Sequence, residues 1–262
     1  MIRMDVGITF CKEVQLRDPY LICGLPGIGY VAKLVTDYLI EKLKAEVFGE
    51  VHSAFFPPYV LIKKDGVVEV LKNELYYWRN EAAKRDLILF TGSAQASSPE
   101  GQYLIAEEVL NVAKRFGVRR LYSIAAYLTD KRVEKPKVYG VATEPHLVEE
   151  LKKDGVLVLD EGSIGGTNGL MVGLAETKKI QGICLLGETQ GYRTPSGNYV
   201  VDAQAARSVL EVLTKMLDIH IDMTPIEDQA KLSTEFLERI EEVEHRVMEQ
   251  ISKAAPTDRY IT

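Results

Sequence analysis

Short, almost wholly apolar runs alternate along this chain with longer stretches in which apolar residues recur every three or four positions, the order characteristic of an α/β protein. Tyr20 to Cys23, Asp86 to Phe90, Arg120 to Ala126 and Ile183 to Gly187 read as core strands, and Glu46 to His52 and Lys137 to Ala142 as further strands. Val31, Leu34, Val35, Tyr38, Leu39 and Leu43 mark one face of a helix reaching about Lys44. A second helix is predicted from Pro99 to about Phe116, with its proline well placed at the first turn, and others over Pro145 to Lys153 and Ala203 to Leu217. Tyr59 to Lys63 and Val67 to Leu71 pair as a hairpin through Lys64-Asp65-Gly66. The glycine-rich stretch Gly162 to Gly173 reads as a loop entering a helix near Met171 to Thr177. These elements predict a mixed sheet sandwiched by helices, a three-layer α/β/α architecture.

At 262 residues the chain can bury about three quarters of its unfolded surface, so it needs no disulfide or metal staples. Lys and Arg total 32 against 38 Asp and Glu, a net charge of -6 that argues against nucleic acid or an anionic membrane as a broad partner. No run of 18 apolar residues occurs, and Met1 to Gly7, with Arg3 and Asp5, resembles neither signal peptide nor anchor. Cys11, Cys23 and Cys184 lie in apolar runs without CxxC spacing and are expected to be reduced core residues of a cytoplasmic protein.

Pro225 to Ala254 is different in kind: thirty residues without glycine or internal proline, a helix of about 45 Å. Thr224 is the expected cap, with Pro225 at the first position. Phe236, Ile240, Val243, Val247 and Ile251 follow steps of four, three, four and four, a narrow seam suited either to a neighbouring helix or to the chain's own body. This segment holds eight acidic and four basic residues, so it carries four of the six net negative charges. The expected division is therefore residues 1–223 as the core domain, 224–254 as an oligomerisation or spacer helix, and 255–262 as a flexible tail.

Catalytic chemistry is hard to find. Gly24-Leu25-Pro26-Gly27-Ile28-Gly29 joins a strand to a helix, but it is neither a Rossmann fingerprint nor a P-loop and reads first as a tight turn. Gly165, Gly166 and Gly169 are read likewise as loop glycines. His52, His146, His220 and His245 are scattered without ligand spacing, and Ser163 is not in a nucleophile elbow, so no metal, cofactor or catalytic residue is expected. Glu188 follows a core strand and is expected to pair with Arg193. The last residues end in Tyr260, Ile261 and Thr262. Two apolar anchors beside a terminal carboxylate make a compact ligand for a pocket with a cation and backbone donors, although many such tails are simply disordered.

Gly24 to Gly29 with Ala32 following, Leu186-Gly187-Glu188-Thr189, the helix after Asp202-Ala203-Gln204-Ala205-Ala206 and the final acidic helix together resemble the PAC2 family of proteasome assembly chaperones, particularly its archaeal members, over about residues 20–250. The resemblance implies a phosphorylase-like α/β/α core serving as a non-enzymatic, ATP-independent scaffold in a homo-oligomer. It also implies contact with the 20S proteasome α-ring or another assembly chaperone subunit through tails ending in hydrophobic-Tyr-X, where a lysine meets the terminal carboxylate. Here Tyr260 falls in the hydrophobic slot, Ile261 in the tyrosine slot and Thr262 at the terminus, a departure that should weaken docking. Two alternatives stay open: a small-molecule enzyme using groups around Gly24 to Gly29, Ser93 to Ser98 and Glu188, and a self-assembling module whose tail docks on its own body.

Overall fold

A computed structural model of the chain describes residues 6–81, 85–130, 133–194, 197 and 199–254. In chain order the strands and helices are β1 (Val6–Phe10), β2 (Tyr20–Cys23), α1 (Val31–Leu43), β3 (Glu46–Ser53), β4 (Val60–Ile62), β5 (Val68–Val70), β6 (Asn73–Trp78), β7 (Leu87–Gly92), α2 (Pro99–Arg115), β8 (Arg120–Leu128), β9 (Val138–Ala142), α3 (Pro145–Lys153), β10 (Leu157–Val158), α4 (Gly166–Thr177), β11 (Gln181–Thr189), α5 (Ala203–Leu217) and α6 (Thr224–Ala254). Nine strands form one mixed sheet in the order β1-β3-β6-β7-β2-β8-β11-β9-β10. Its centre, β7-β2-β8-β11, is parallel, while β3 and β6 extend one side and β9 the other in antiparallel pairing.

The central strands are covered on both faces, which is why they read as continuous apolar runs rather than as alternation. Leu21, Cys23, Ile88, Phe90, Leu121 and Cys184 pack on one side with buried residues of α2 and α4. Their neighbours Ile22, Leu87, Leu89, Tyr122, Ile183 and Leu185 pack on the other with α1, α3 and α5. Helix starts follow their sequence signals. The Ser98 hydroxyl accepts from the Gly101 N–H at 3.1 Å, and Asp202 accepts from the Ala205 N–H at 2.9 Å.

Several expectations change. Three strands, β1, β6 and the two-residue β10, are not anticipated in the sequence. Helix α4 begins at Gly166, five residues ahead of the expected Met171, so two thirds of the glycine-rich stretch Gly162 to Gly173 is helical. Cys11 is exposed, whereas Cys23 and Cys184 are buried, and burial pushes the Cys23 thiol up to about 12 and the Cys184 thiol up as well. All three are free.

The start of α6 is held differently from the expected Thr224 cap. Asp222, ahead of the helix, accepts from the Thr224 N–H at 2.9 Å, and this hydrogen bond holds its carboxyl below the usual range. From α1, the Tyr38 hydroxyl donates to the Asp222 carbonyl at 2.7 Å and accepts from the Ile226 N–H at 3.4 Å. Tyr38 and Ile226 are buried. Tyr38→Phe therefore strands two backbone groups, and urea unfolding should show a loss of about 1–2 kcal/mol with faster amide exchange at Ile226. Unchanged stability and exchange would mean the hydroxyl does not latch this helix.

Candidate functional site

A cleft of about 970 Å³ opens at the carboxyl ends of β2, β8 and β11, where open α/β sheets commonly bind ligands. Gly27, Gln95, Tyr127, Asp160 and Glu161 are among its lining residues, and no Lys, Arg or His lines it among the described residues. Its walls are built from intramolecular pairs. Gln95 donates to the Pro26 carbonyl at 2.7 Å and accepts from the Thr167 N–H at 2.7 Å. Asn168, at the start of α4, accepts from the Leu25 N–H and donates to the Leu25 carbonyl, both at 3.1 Å, so its amide closes the loop after β2 as a backbone partner would. Its own carbonyl accepts from Ser123 at 2.6 Å.

The Gly24 to Gly29 turn serves packing. A Cβ on Gly24 would lie 2.1 Å from Thr36 Oγ1 and 2.2 Å from the Ala32 carbonyl oxygen, so glycine there lets α1 approach β2 closely. Gly29 sits at φ 59° in a tight 3-10 turn, in the left-handed region that favours glycine. Its carbonyl accepts from the Asp202 N–H at 2.8 Å, tying the turn to the start of α5.

Residues considered together in the sequence are dispersed. Of Ser93 to Ser98 only Gln95 lines the large cleft, and Glu188 lines instead a cavity of about 230 Å³ shared with Asp202, Ser233 and Leu237 of α6. The expected Glu188–Arg193 pair is replaced: Glu188, buried, accepts from the Lys137 N–H at 3.0 Å, while Arg193 lies 4.2 Å over the Tyr199 ring. Ser163 lines the large cleft. His52 contacts Glu50 at 3.2 Å, His146 contacts Glu144 at 3.4 Å, His220 is exposed, and the His245 side chain lies outside the described residues.

Helix α6 uses two adjacent stripes. Ile226, Ala230 and Leu237 are buried on the core beside α5, where Arg207 pairs with Glu227 at 3.3 Å and Ser233 donates to the Val201 carbonyl at 2.9 Å. Beyond Leu237, none of the α6 residues whose burial is described is buried. The seam read from the sequence lies about 80° around the helix from that stripe. Phe236 is 51% exposed, Val243 54% and Val247 47%, with Leu232 at 67% extending the stripe and Ile240 half-buried. The Ile251 side chain and all of Tyr260, Ile261 and Thr262 lie outside the described residues. The Asn168 clamp and the Tyr38 latch had no sequence signal, since each joins residues more than 140 positions apart.

The family model of the PAC2 family matches residues 21–241, which hold every strand of the sheet except β1, the helices α1 to α5 and the first half of α6. The chain belongs to the PAC2 family. This family member is 37% identical over 255 residues to the uncharacterized Methanocaldococcus jannaschii protein MJ1210, covering 95% of each chain. Its fold matches the crystal structure of Pyrococcus furiosus PbaB, an archaeal proteasome activator, with a TM-score of 0.83 and 36% identity over 91% of this chain and 99% of that one. It also matches Pyrococcus furiosus PbaA, an archaeal homolog of proteasome-assembly chaperone, with a TM-score of 0.71 and 27% identity over 93% and 99%. Among the described residues no helix is long and apolar enough to cross a membrane.

Proposed function

We propose that this chain is a non-enzymatic, ATP-independent proteasome assembly chaperone or activator that acts in the cytoplasm as a homo-oligomer and presents its C-terminal tail to the 20S α-ring. The observation that carries this is the course of α6: its first half packs on the core, and its second half bears an unburied apolar stripe beyond Leu237. That half is about 25 Å long, enough to act as a spacer for residues 255–262. The likeness to an activator supports the α-ring as the partner. The acidic lining of the large cleft and the separation of Glu188 from it favour a binding scaffold over phosphate chemistry.

Tyr260, Ile261 and Thr262 are assigned the docking role, and Phe236, Ile240, Val243, Val247 and Ile251 a seam between copies. Several tails on one oligomer offset a weak individual fit, because avidity adds about 10² to 10⁴. Deleting Tyr260 to Thr262 is expected to weaken capture of purified α-ring by about 100-fold or more for that reason. Ile261→Tyr, which places a phenol in the penultimate slot, should strengthen it. Equal capture by the intact and truncated chains would sink the tail assignment.

A further inference from the structure

The large cleft carries the opposite charge to most crevices at the carboxyl ends of parallel strands. Two helices begin on its wall, α1 beside Ala32 and α4 at Gly166, and each N-terminus contributes about half a positive charge. Helix ends of this kind favour an anion. Here the α4 end is already capped, because Gln95 accepts from the Thr167 N–H at 2.7 Å. Asp160 and Glu161 add two full negative charges to the lining, which outweigh two half charges, and no Lys, Arg or His lines the cleft among the described residues. Both side chains are exposed, and among the described residues neither makes an ion pair or a hydrogen bond. Lys152 of α3, whose charge acts on Asp160, is itself paired with Glu149 at 2.8 Å. The Leu159 N–H donates to the Gly140 carbonyl at 3.2 Å, which pins the chain immediately ahead of the two carboxylates.

The other walls suit an apolar body attached to a positive charge. Ala125 and Leu186, both buried, supply apolar lining. Tyr127 is half-buried, and its ring is held by stacking on Tyr139 with centroids 4.2 Å apart. Aromatic faces attract ammonium and guanidinium groups. At about 970 Å³ the cleft falls within the roughly 300–1,000 Å³ of small-molecule sites. We infer that this cleft takes an organic cation, an ammonium or guanidinium group on an apolar body. Asp160 and Glu161 pair with the charge, the Tyr127 ring lies against it, and Ala125 and Leu186 cover the hydrocarbon. This goes beyond tail docking and does not depend on it, since no described residue of α6 lines the cleft. The same chemistry belongs to a free amine and to a lysine or arginine side chain of a peptide.

The test is calorimetric titration of the full chain with probes of matched shape, phenethylamine, phenethyl alcohol and hydrocinnamate, at up to about 5 mM, the range open to ligands of that size. Two exposed ion pairs set an expected preference of about tenfold for the amine over the alcohol, with hydrocinnamate weakest. Asp160→Asn combined with Glu161→Gln should bring the amine down to the alcohol at an unchanged melting temperature, because neither side chain is buried or bonded. Tyr127→Leu should weaken the amine by about two- to fivefold more than it weakens the alcohol. A blocked Leu-Arg-Leu peptide separates the sources. Tighter binding than phenethylamine, lost on the double substitution, assigns the cleft to a basic peptide side chain, and weaker binding assigns it to a free amine. Equal affinity for amine and alcohol, tighter binding of hydrocinnamate, or no heat with any probe overturns the inference.

Discussion

Replacing Asn168 by alanine is expected to lower the unfolding free energy by about 3 kcal/mol, with a melting point about 6 °C lower. The amide makes two hydrogen bonds to one residue, the N–H and the carbonyl of Leu25, and Leu25 and Asn168 are both buried. Alanine strands both groups, each at a cost of about 1–3 kcal/mol, and among the described residues no other side chain bonds to them. Asn168→Asp sharpens the case. It keeps an acceptor for the N–H but sets a carboxylate oxygen against the Leu25 carbonyl, so it should be worse than alanine at neutral pH. Protonation restores a donor, so the aspartate variant should recover on acidification. Denaturant unfolding near pH 4 and pH 8 measures this, and a loss below about 1 kcal/mol for alanine would show that water enters and satisfies the peptide.

Gly24→Ala should cost at least about 3 kcal/mol, the upper end of ordinary overpacking. The added methyl meets the Ala32 carbonyl oxygen at 2.2 Å and its carbon at 2.9 Å, and this is helix backbone that cannot rotate away. Relief requires α1 to slide off β2, which would disturb Val31, Val35 and Leu39, all wholly buried. The same movement carries Tyr38 away from Asp222 and Ile226, so the start of α6 should loosen along with the core. Amide exchange along α6 would accelerate in this variant. A folded, equally stable alanine variant would show that the turn tolerates a side chain and restore interest in it as a ligand loop.

Much of the layer order was legible because burial leaves a period. The strand β2 and the helices α3 and α5 lie where the sequence puts them, since their core-facing residues recur at the spacing their geometry demands. Strand β6 escaped notice because aromatic residues occupy both of its faces: Leu75 and Tyr77 are buried, Tyr76 and Trp78 half-buried, and the alternation is masked. The early start of α4 contradicts propensity, since Gly166, Thr167, Asn168 and Gly169 are poor helix formers. Packing on α2 and the Asn168 clamp supply what intrinsic preference lacks. Glu188 and Arg193 are neighbours in sequence, yet the antiparallel pairing of β9 with β11 brings the Lys137 N–H to Glu188 instead.

The candidate surfaces divide in the same way. Sequence alone determined that the chain is α/β, that it ends in a long acidic helix, and that the residue pattern is that of the PAC2 family, because periodicity, length and local charge are properties of neighbours along the chain. Tertiary structure decided which stripe of α6 is spent on the core and which is left free. It also decided that the cleft gathers two carboxylates and lacks cations among its described residues. Those outcomes depend on which groups meet across hundreds of positions, and hydrophobic burial is non-directional, so an apolar residue in a sequence does not state what will cover it.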